Sequence, residues 1–530
     1  MKFSHRFWAA ALSVALLGSA CFCPIDVDAA KKRKPTAAEI AAAEQAEQER
    51  QEAYNKTIDS NQIEGWPQGP QIYAESAIVM EADTGTILYN KDMDMVNYPA
   101  SITKIMTALV ALEHSSLDEV VTYSYYATHS IEAGSSSIGR TEGEELTVEE
   151  SLYALLLASA NECGNALAEH VSGSVEAFVE LMNEKAAELG CTNTHFVNPH
   201  GLHDDNHYTT AHDMALIMKA ALQNENFARI CGTDVYNLRT TNKSDEIVYM
   251  KNHHYMIGPY KGVTKYLDDT VIAGKTGYTS NAKYTLVTAA ERGGMTFIVV
   301  TMRTGSDPNS SEPGGLYFPD TALLLDYASE NFSKVNVAAN ETNFSVEGSG
   351  FFHTGSAIFG QTDPLIEINK NDYIILPNDI PFTDASPELI FQSEENSDII
   401  ATLSYTWQGQ PVGSASIELA KPLVQEFSFD RNTGDPEDIG EEETEATPKK
   451  FIRINIRLIL TFAAAVAAVA LIYLLIRQLM KIFNLSLNTE NLRRRFRLRK
   501  RVRRKKRPRP KKRYKRTPKK RESPYNELDL

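Results

Sequence analysis

The chain is poor in cysteine, with five in 530 residues: Cys21, Cys23, Cys163, Cys191 and Cys231. Their irregular spacing gives no disulfide framework and no zinc site. The first two fall in a leader segment. The other three leave room for one bridge, with buried free thiols an equal alternative. Positive charge is also scarce outside one place. The whole chain sets 54 Lys and Arg against 69 Asp and Glu, a net charge of −15. Residues 493–521 alone hold 21 of the basic residues and no acid, which leaves 33 against 69, or −36, for the rest. So acidic a body argues against nucleic acid or anionic lipid as its partner and favours solubility.

Long apolar runs are few, and both lie near the ends. Residues 7–17 follow a basic start (Lys2, Arg6) and precede small residues and a candidate cleavage after Val27-Asp28-Ala29. Residues 1–29 therefore read as a secretory signal. Lipoprotein processing at Cys21 is a lesser alternative, because Gly18-Ser19-Ala20 lacks the usual large apolar residue. Residues 458–476 are apolar but for Thr461 and Tyr473. As a helix they would be roughly 28 Å long, close to the ~30 Å hydrocarbon core, and so read as one membrane span. The basic residues beyond it stay on the cytoplasmic side. Both signals give one topology: a single-pass cell-membrane protein, a large extracytoplasmic part, and a basic cytoplasmic tail over 477–530. That tail reads as a topology lock lying on anionic headgroups of the inner leaflet, in preference to a nucleic-acid binder.

Between the ends, residues 30–65 form a polar spacer rich in Ala, Glu and Gln, an exposed helix or a disordered stalk. Globular patterning starts at Trp66 and runs to 332. Ser76 to Tyr89 reads as two strands around Asp83-Thr84-Gly85. A helix after Pro99 turns Ile102, Ile105, Met106, Leu109 and Val110 inward. Thr147 and Glu150 form a capping box opening the helix that leads to Ser159. Val271–Tyr278 reads as a strand. Tyr284–Ala290 and Met295–Met302 read as a hairpin about Gly293-Gly294. Strands, helices and strands again, joined by hairpins, predict an α+β fold with an antiparallel sheet flanked by helices. Over 335–425 short alternating runs take over. In one, Ala401, Leu403, Tyr405 and Trp407 face opposite to Thr402, Ser404 and Thr406. They predict a small β-sandwich domain without a catalytic constellation. An acidic linker, 426–450, follows.

Three short words carry chemistry: Ser101-Ile102-Thr103-Lys104, Ser159-Ala160-Asn161 and Lys275-Thr276-Gly277. A serine hydroxyl is a poor nucleophile until a base takes its proton. Ser101 and Lys104 are i and i+3, so on a helix they share a face. Lys104 falls among apolar core positions, where a lysine needs a reason. It serves as the general base only when neutral, and burial beside a second cation, Lys275, would lower its pKa. Alone, the first word would be a solvated helix start and the second a helix end. Together they make Ser101 the nucleophile, Ser159 a proton relay to the leaving amine, and Asn161 a hydrogen-bonding partner of substrate or Lys104. Lys275 and Thr276 would present a cation and a hydroxyl to a substrate carboxylate. Gly277 would let a substrate backbone come close. The main-chain N–H groups of Ser101 and Tyr278 are the candidates for an oxyanion hole.

In that order the words are the S-x-x-K, S-x-N, K-T-G set of penicillin-binding proteins and serine β-lactamases. With YPASITKIMTALVALE, LLLASANECGNALAEH, VNPHGLHDDNHYTTAHDMALI and VIAGKTGYTSNAKYTLV, residues 66 to about 425 resemble a low-molecular-weight penicillin-binding protein. More closely, they resemble a serine D-alanyl-D-alanine carboxypeptidase of peptidase family S11. The resemblance implies a β-lactamase/transpeptidase-like domain followed by a β-rich one. It implies no cofactor and no metal. The substrate would be the peptidoglycan stem peptide, with an acyl-enzyme on Ser101 and β-lactam antibiotics as inhibitors of the same serine. Ala160 stands where such enzymes often have Gly, and Tyr278 where some relatives have His. The His-rich stretch from Asn198 to His212 becomes a loop near the site, packed by polar contacts. Three rivals stay in view. A serine β-lactamase would need a base for water between the second and third words, and none stands out. A non-enzymatic penicillin sensor would need a signalling domain in the tail. A wall-binding protein with decayed words would not keep all of them intact.

Overall fold

The structure, a computed structural model, describes residues 36–305, 315–342, 366–391 and 399–419. The predicted signal, acidic linker, span at 458–476 and basic tail lie outside the described residues. Among these residues no helix is long and apolar enough to cross a membrane. All of them belong to one compact unit.

A five-stranded antiparallel sheet organises the first part. Its strands are β1 (Ser76–Glu81), β2 (Ile87–Lys91), β7 (Val271–Thr279), β8 (Lys283–Arg292) and β9 (Met295–Thr304), in the order β2-β1-β9-β8-β7. Period-two alternation divides the side chains between two cores. Ile78 and Met80 on β1, with Val287, Ile298 and Val300, meet a helical layer. Ala77 and Val79, with Leu286, Phe297 and Val299, face the other way. Because both faces are covered, every residue of β1 is buried. The expected hairpins are present, and the β8–β9 turn uses Gly293 and Gly294 at positive φ of 60° and 76°.

The helical layer is centred on α2 (Lys104–His114), which continues a 3-10 turn over Ala100–Thr103. All eight residues from Lys104 to Ala111 are buried, so α2 is a core helix and not a surface stripe. Around it stand α4 (Val148–Leu157), α5 (Asn161–Ser172), α6 (Val175–Glu188), α7 (Ala211–Leu222) and α8 (Glu225–Cys231). The capping box forms at the start of α4: Glu150 N–H donates to Thr147 Oγ1 at 3.1 Å and Thr147 N–H to Glu150 Oε2 at 2.9 Å. Short pairs β3 (Val120–Thr122) with β4 (Glu145–Thr147), and β5 (Val235–Leu238) with β6 (Val248–Lys251), flank this layer.

The spacer takes the helical alternative but its end packs on the fold, and the β-rich part differs in its sheet arrangement. The polar spacer contains a helix, α1 (Ala37–Tyr54), whose last turns dock. Lys91 Nζ donates to Ala53 O at 2.8 Å, and the Tyr54 and Tyr73 rings lie 4.7 Å apart. Ile58 already belongs to the core. In the β-rich part, the described strands pair into one antiparallel sheet and not into two facing layers. Its path is β10 (Phe332–Asn336), β12 (Tyr373–Pro377), β15 (Gln410–Leu419), β14 (Ile399–Trp407) and β13 (Ser386–Phe391), with β11 (Ile366–Ile368) also on β15. The predicted alternation on β14 is present, with Ala401, Leu403, Tyr405 and Trp407 buried. Leu403, Tyr405 and Trp407 join the core that holds Trp66, Leu88 and Phe318, and the Trp407 and Trp66 rings stack 5.7 Å apart. The inner face of this sheet is thus covered in part by the first domain itself.

Candidate active site

The nucleophile segment is held by backbone approaches. Ala100 adopts φ 51°, a strained value for a non-glycine residue, directly before Ser101. Thr285 Oγ1 on β8 donates to Pro99 O at 2.8 Å, and Thr103 Oγ1 to Ala100 O at 2.8 Å. A Cβ on Gly277 would lie 2.9 Å from Ser101 N and 2.3 Å from Thr285 Oγ1. The close approach that Gly277 permits in this structure is therefore by the nucleophile's own main chain. Tyr278, the expected second N–H donor of an oxyanion hole, is the next residue on edge strand β7. The Tyr278 ring is 38% exposed and packs 4.6 Å from Tyr284.

Lys104 is fully buried, and its Nζ makes three contacts: Ser101 Oγ at 3.0 Å, Asn161 Oδ1 at 2.7 Å and His200 O at 2.6 Å. A neutral amine has two N–H donors and one lone pair. Asn161 Oδ1 and His200 O can only accept, so they take the two hydrogens. The lone pair is left for the Ser101 hydroxyl. Burial, and then the charge of Lys275, push Lys104 well below its ordinary pKa. Lys275 is itself buried, which lowers it to about 8. Its Nζ donates to Thr276 O at 2.9 Å.

Ser159 is placed less simply. It has φ 59° at the break between α4 and α5, and its buried Oγ has no hydrogen-bond partner among the described residues. The predicted relay thus stands two residues before Asn161 in the chain but is not wired to Lys104. Asn161 is the first residue of α5, and its N–H donates to Ser136 O at 3.0 Å. Glu162, also buried, ties the same loop by accepting from Ser137 Oγ at 2.8 Å and Ile138 N at 2.7 Å.

Residues that the motifs do not contain complete the site. A Cβ on Gly201 (φ 84°) would fall 1.9 Å from Ala100 O. Pro199 O accepts from Thr107 Oγ1 at 2.6 Å. The His-rich loop is therefore the floor under the nucleophile turn. Among the described residues no group of three His, Cys, Asp or Glu is placed to hold a metal, and Cys163, Cys191 and Cys231 are free thiols.

His207 sits in that floor. Thr103 Oγ1 gives its hydrogen to Ala100 O, so it accepts from His207 Nε2 at 2.8 Å, while His207 Nδ1 accepts from Val197 N–H at 3.0 Å. That arrangement requires the neutral ring, and burial lowers its pKa to about 3. The unfolded chain binds this proton near pH 6.5 and the native chain only near 3, so stability rises with pH across that window. Denaturant midpoints at pH 7, 5.5 and 4.5 should fall in that order. His207 contributes up to about 1.4 kcal/mol per pH unit, and His207→Asn should flatten the slope.

A nucleophile on a helix start, a buried lysine against it and an edge strand carrying K-T-G define a serine acyl-enzyme hydrolase of the transpeptidase-like class. A family model described as D-alanyl-D-alanine carboxypeptidase, Peptidase S11, matches residues 63–306. The chain is 41% identical over 229 residues to the D-alanyl-D-alanine carboxypeptidase DacF of Bacillus subtilis, covering 43% of this chain and 56% of that one. It is 35% identical over 263 residues to DacB2 of Mycobacterium tuberculosis, covering 49% of this chain and 83% of that one. It is 34% identical over 251 residues to the D-alanyl-D-alanine carboxypeptidase of Streptomyces strain K15, covering 45% and 84%. The chain belongs to the D-alanyl-D-alanine carboxypeptidase family, peptidase S11.

Proposed function

We propose that this chain removes the terminal D-alanine of peptidoglycan stem peptides through an ester on Ser101, and that β-lactams acylate the same hydroxyl. The observation that carries the reading is the Lys104 amine, 3.0 Å from Ser101 Oγ with its other two positions taken by fixed acceptors. Ser101 Oγ attacks the carbonyl of the penultimate D-alanine, and its proton passes to Lys104. The N–H groups of Ser101 and Tyr278 receive the oxyanion. The C–N bond breaks and free D-alanine leaves with the proton from Lys104, directly or by way of the Ser159 hydroxyl. Lys275 and Thr276 receive the terminal carboxylate. Asn161 spends its carbonyl oxygen on Lys104, which leaves its NH2 group for a substrate carbonyl. Water then cleaves the ester and restores Ser101. The predicted signal and span place this reaction outside the membrane, with the chain anchored at 458–476 and its basic tail against anionic headgroups.

The test is D-alanine release from a diacyl-L-Lys-D-Ala-D-Ala peptide, run beside release of labelled benzylpenicillin from the acylated protein. Peptide hydrolysis with slow loss of the label is expected. Rapid turnover of penicillin would make the chain a β-lactamase, and labelling without D-alanine release would make it a sensor.

A further inference from the structure

Glu162 has no part in the chemistry above. Yet it follows Asn161, whose Oδ1 accepts from Lys104 Nζ at 2.7 Å. It is fully buried, in the first turn of α5. Its Oε1 accepts three hydrogen bonds from one turn: from Ser137 Oγ at 2.8 Å, Ile138 N–H at 2.7 Å and Gly139 N–H at 3.1 Å. The residue before them, Ser136, accepts from Asn161 N–H at 3.0 Å. Three donors and a helix start both suit the carboxylate form. Glu162 Oε2 is also buried and has no hydrogen-bond partner among the described residues. Arg140, next along the turn, spends Nη1 on Glu144 Oε1 at 2.6 Å and Nη2 on Ile138 O at 3.1 Å.

Holding a turn needs an acceptor and not a charge, because an amide oxygen could take the same three donors. A buried carboxylate without a paired cation is expensive, so its charge needs a further reason. The surroundings of Lys104 supply one. His200 is pushed well below its ordinary pKa by burial and then by Lys104, and His253 to about 3 by burial and then by Lys275, so both rings are neutral. Cys163 and Tyr123, near Glu162, are raised well above their ordinary values, chiefly by burial, and are uncharged too. Glu144 is matched by Arg140. Among the described residues, Lys275 on β7 and Glu162 on α5 are then the charges that bear on Lys104, and they oppose each other. Burial and Lys275 lower its pKa, and Glu162 raises it. When Ser101 Oγ attacks a carbonyl, its proton moves to the Lys104 lone pair. The amine becomes an ammonium in a dry site beside Lys275, a state that a nearby anion stabilises.

We propose that Glu162 is a positioning residue for acylation: it fixes the 136–139 turn against Asn161, and its carboxylate is the counter-charge for the ammonium that Lys104 becomes on taking the Ser101 proton. This rests on the reading of Lys104 as the base. The carboxylate itself transfers no proton and touches no substrate.

The experiment follows the rate of benzylpenicillin acylation against pH in the full chain. Glu162→Gln keeps an oxygen for the turn and removes the charge. Its acidic limb should move down by about one pH unit, so that below the limb its rate, relative to its own plateau, rises up to about tenfold. The plateau rate itself should fall, because the ammonium has lost its counter-charge. Ser137→Ala loosens the turn and keeps the charge, so it should slow acylation at every pH and leave the limb in place. A purely structural Glu162 would make the two variants alike, and a limb that stays or rises in Glu162→Gln overturns the proposal. Glu162→Asp keeps the charge with a shorter reach, and its limb should stay within about 0.3 unit of the native one. A limb that drops by a full unit in Glu162→Asp overturns the proposal even if Glu162→Gln does not fold. In Glu162→Gln/Lys275→Gln the limb should lie between those of the two single variants. A double-variant limb that coincides with that of Lys275→Gln also overturns the counter-charge. A native profile without an acidic limb would sink Lys104 as the base together with this inference, whereas a native limb that Glu162→Gln does not move sinks the inference alone.

Discussion

Ser101→Ala should take no label from benzylpenicillin, and Lys104→Arg should lose at least about a thousandfold in acylation rate, because a positioned base supplies about 10²–10⁴ and arginine cannot act as one. Arginine keeps the charge and the donors but has no lone pair to offer Ser101 Oγ. It also places a larger group in a site where Lys104 already touches Asn161 Oδ1 and His200 O at 2.7 and 2.6 Å. The pH dependence carries the same argument. Acylation requires neutral Lys104, so the rate should fall as pH falls through the Lys104 pKa. Burial and Lys275 hold that pKa well below the ordinary lysine value. Lys275→Gln removes the neighbouring cation, and the acidic limb should then move to higher pH. Stopped-flow acylation over pH 5–9 measures both. A limb that stays put in Lys275→Gln would mean that burial alone sets the base.

How much of this was legible in the sequence follows from what is local. The S-x-x-K pair, the Thr147–Glu150 capping box and the β8–β9 hairpin are set by residues three or four apart, or by a glycine turn, and the structure has them where the pattern put them. Lys104 stood out because a charge lay among core positions. The floor under Ser101 was not legible. His200 enters through its carbonyl, Pro199 likewise, and Thr285 reaches Pro99 across 186 positions of chain. Backbone acceptors leave no mark in residue type. Gly277 was recognised, but for a substrate's approach, whereas the structure puts Ser101 N there. The alternation on β14 showed that one face is apolar without showing what covers it. Trp66 and its neighbours do so in part, and the expected sandwich is a single sheet among the described residues. Ser159 was placed in the site by its motif, yet its strained φ and unpartnered hydroxyl depend on the α4–α5 break.

Gly201→Ala should be among the most damaging single substitutions in the molecule, although Gly201 belongs to none of the three words. Two costs combine. The residue has φ 84°, where an alanine is disfavoured by about 1–2 kcal/mol. Its Cβ would also stand 1.9 Å from Ala100 O and 2.4 Å from Ala100 C, which is backbone and cannot rotate away. One of the two segments must then move. If the 198–203 loop retreats, His200 O leaves Lys104 Nζ, and the amine loses one of the acceptors that fix its lone pair on Ser101. If the nucleophile turn retreats instead, Ala100 gives up φ 51° and Ser101 N moves from Gly277. Either movement misplaces the nucleophile by about an ångström, enough for a rate loss of about a hundredfold or more. Destabilisation of about 3 kcal/mol is also expected. The penicillin acylation rate and the urea midpoint should therefore fall together in Gly201→Ala, whereas Lys104→Arg should acylate poorly with a much smaller change in stability. An alanine at 201 that acylates at the native rate would show that this loop does not set the geometry of Ser101.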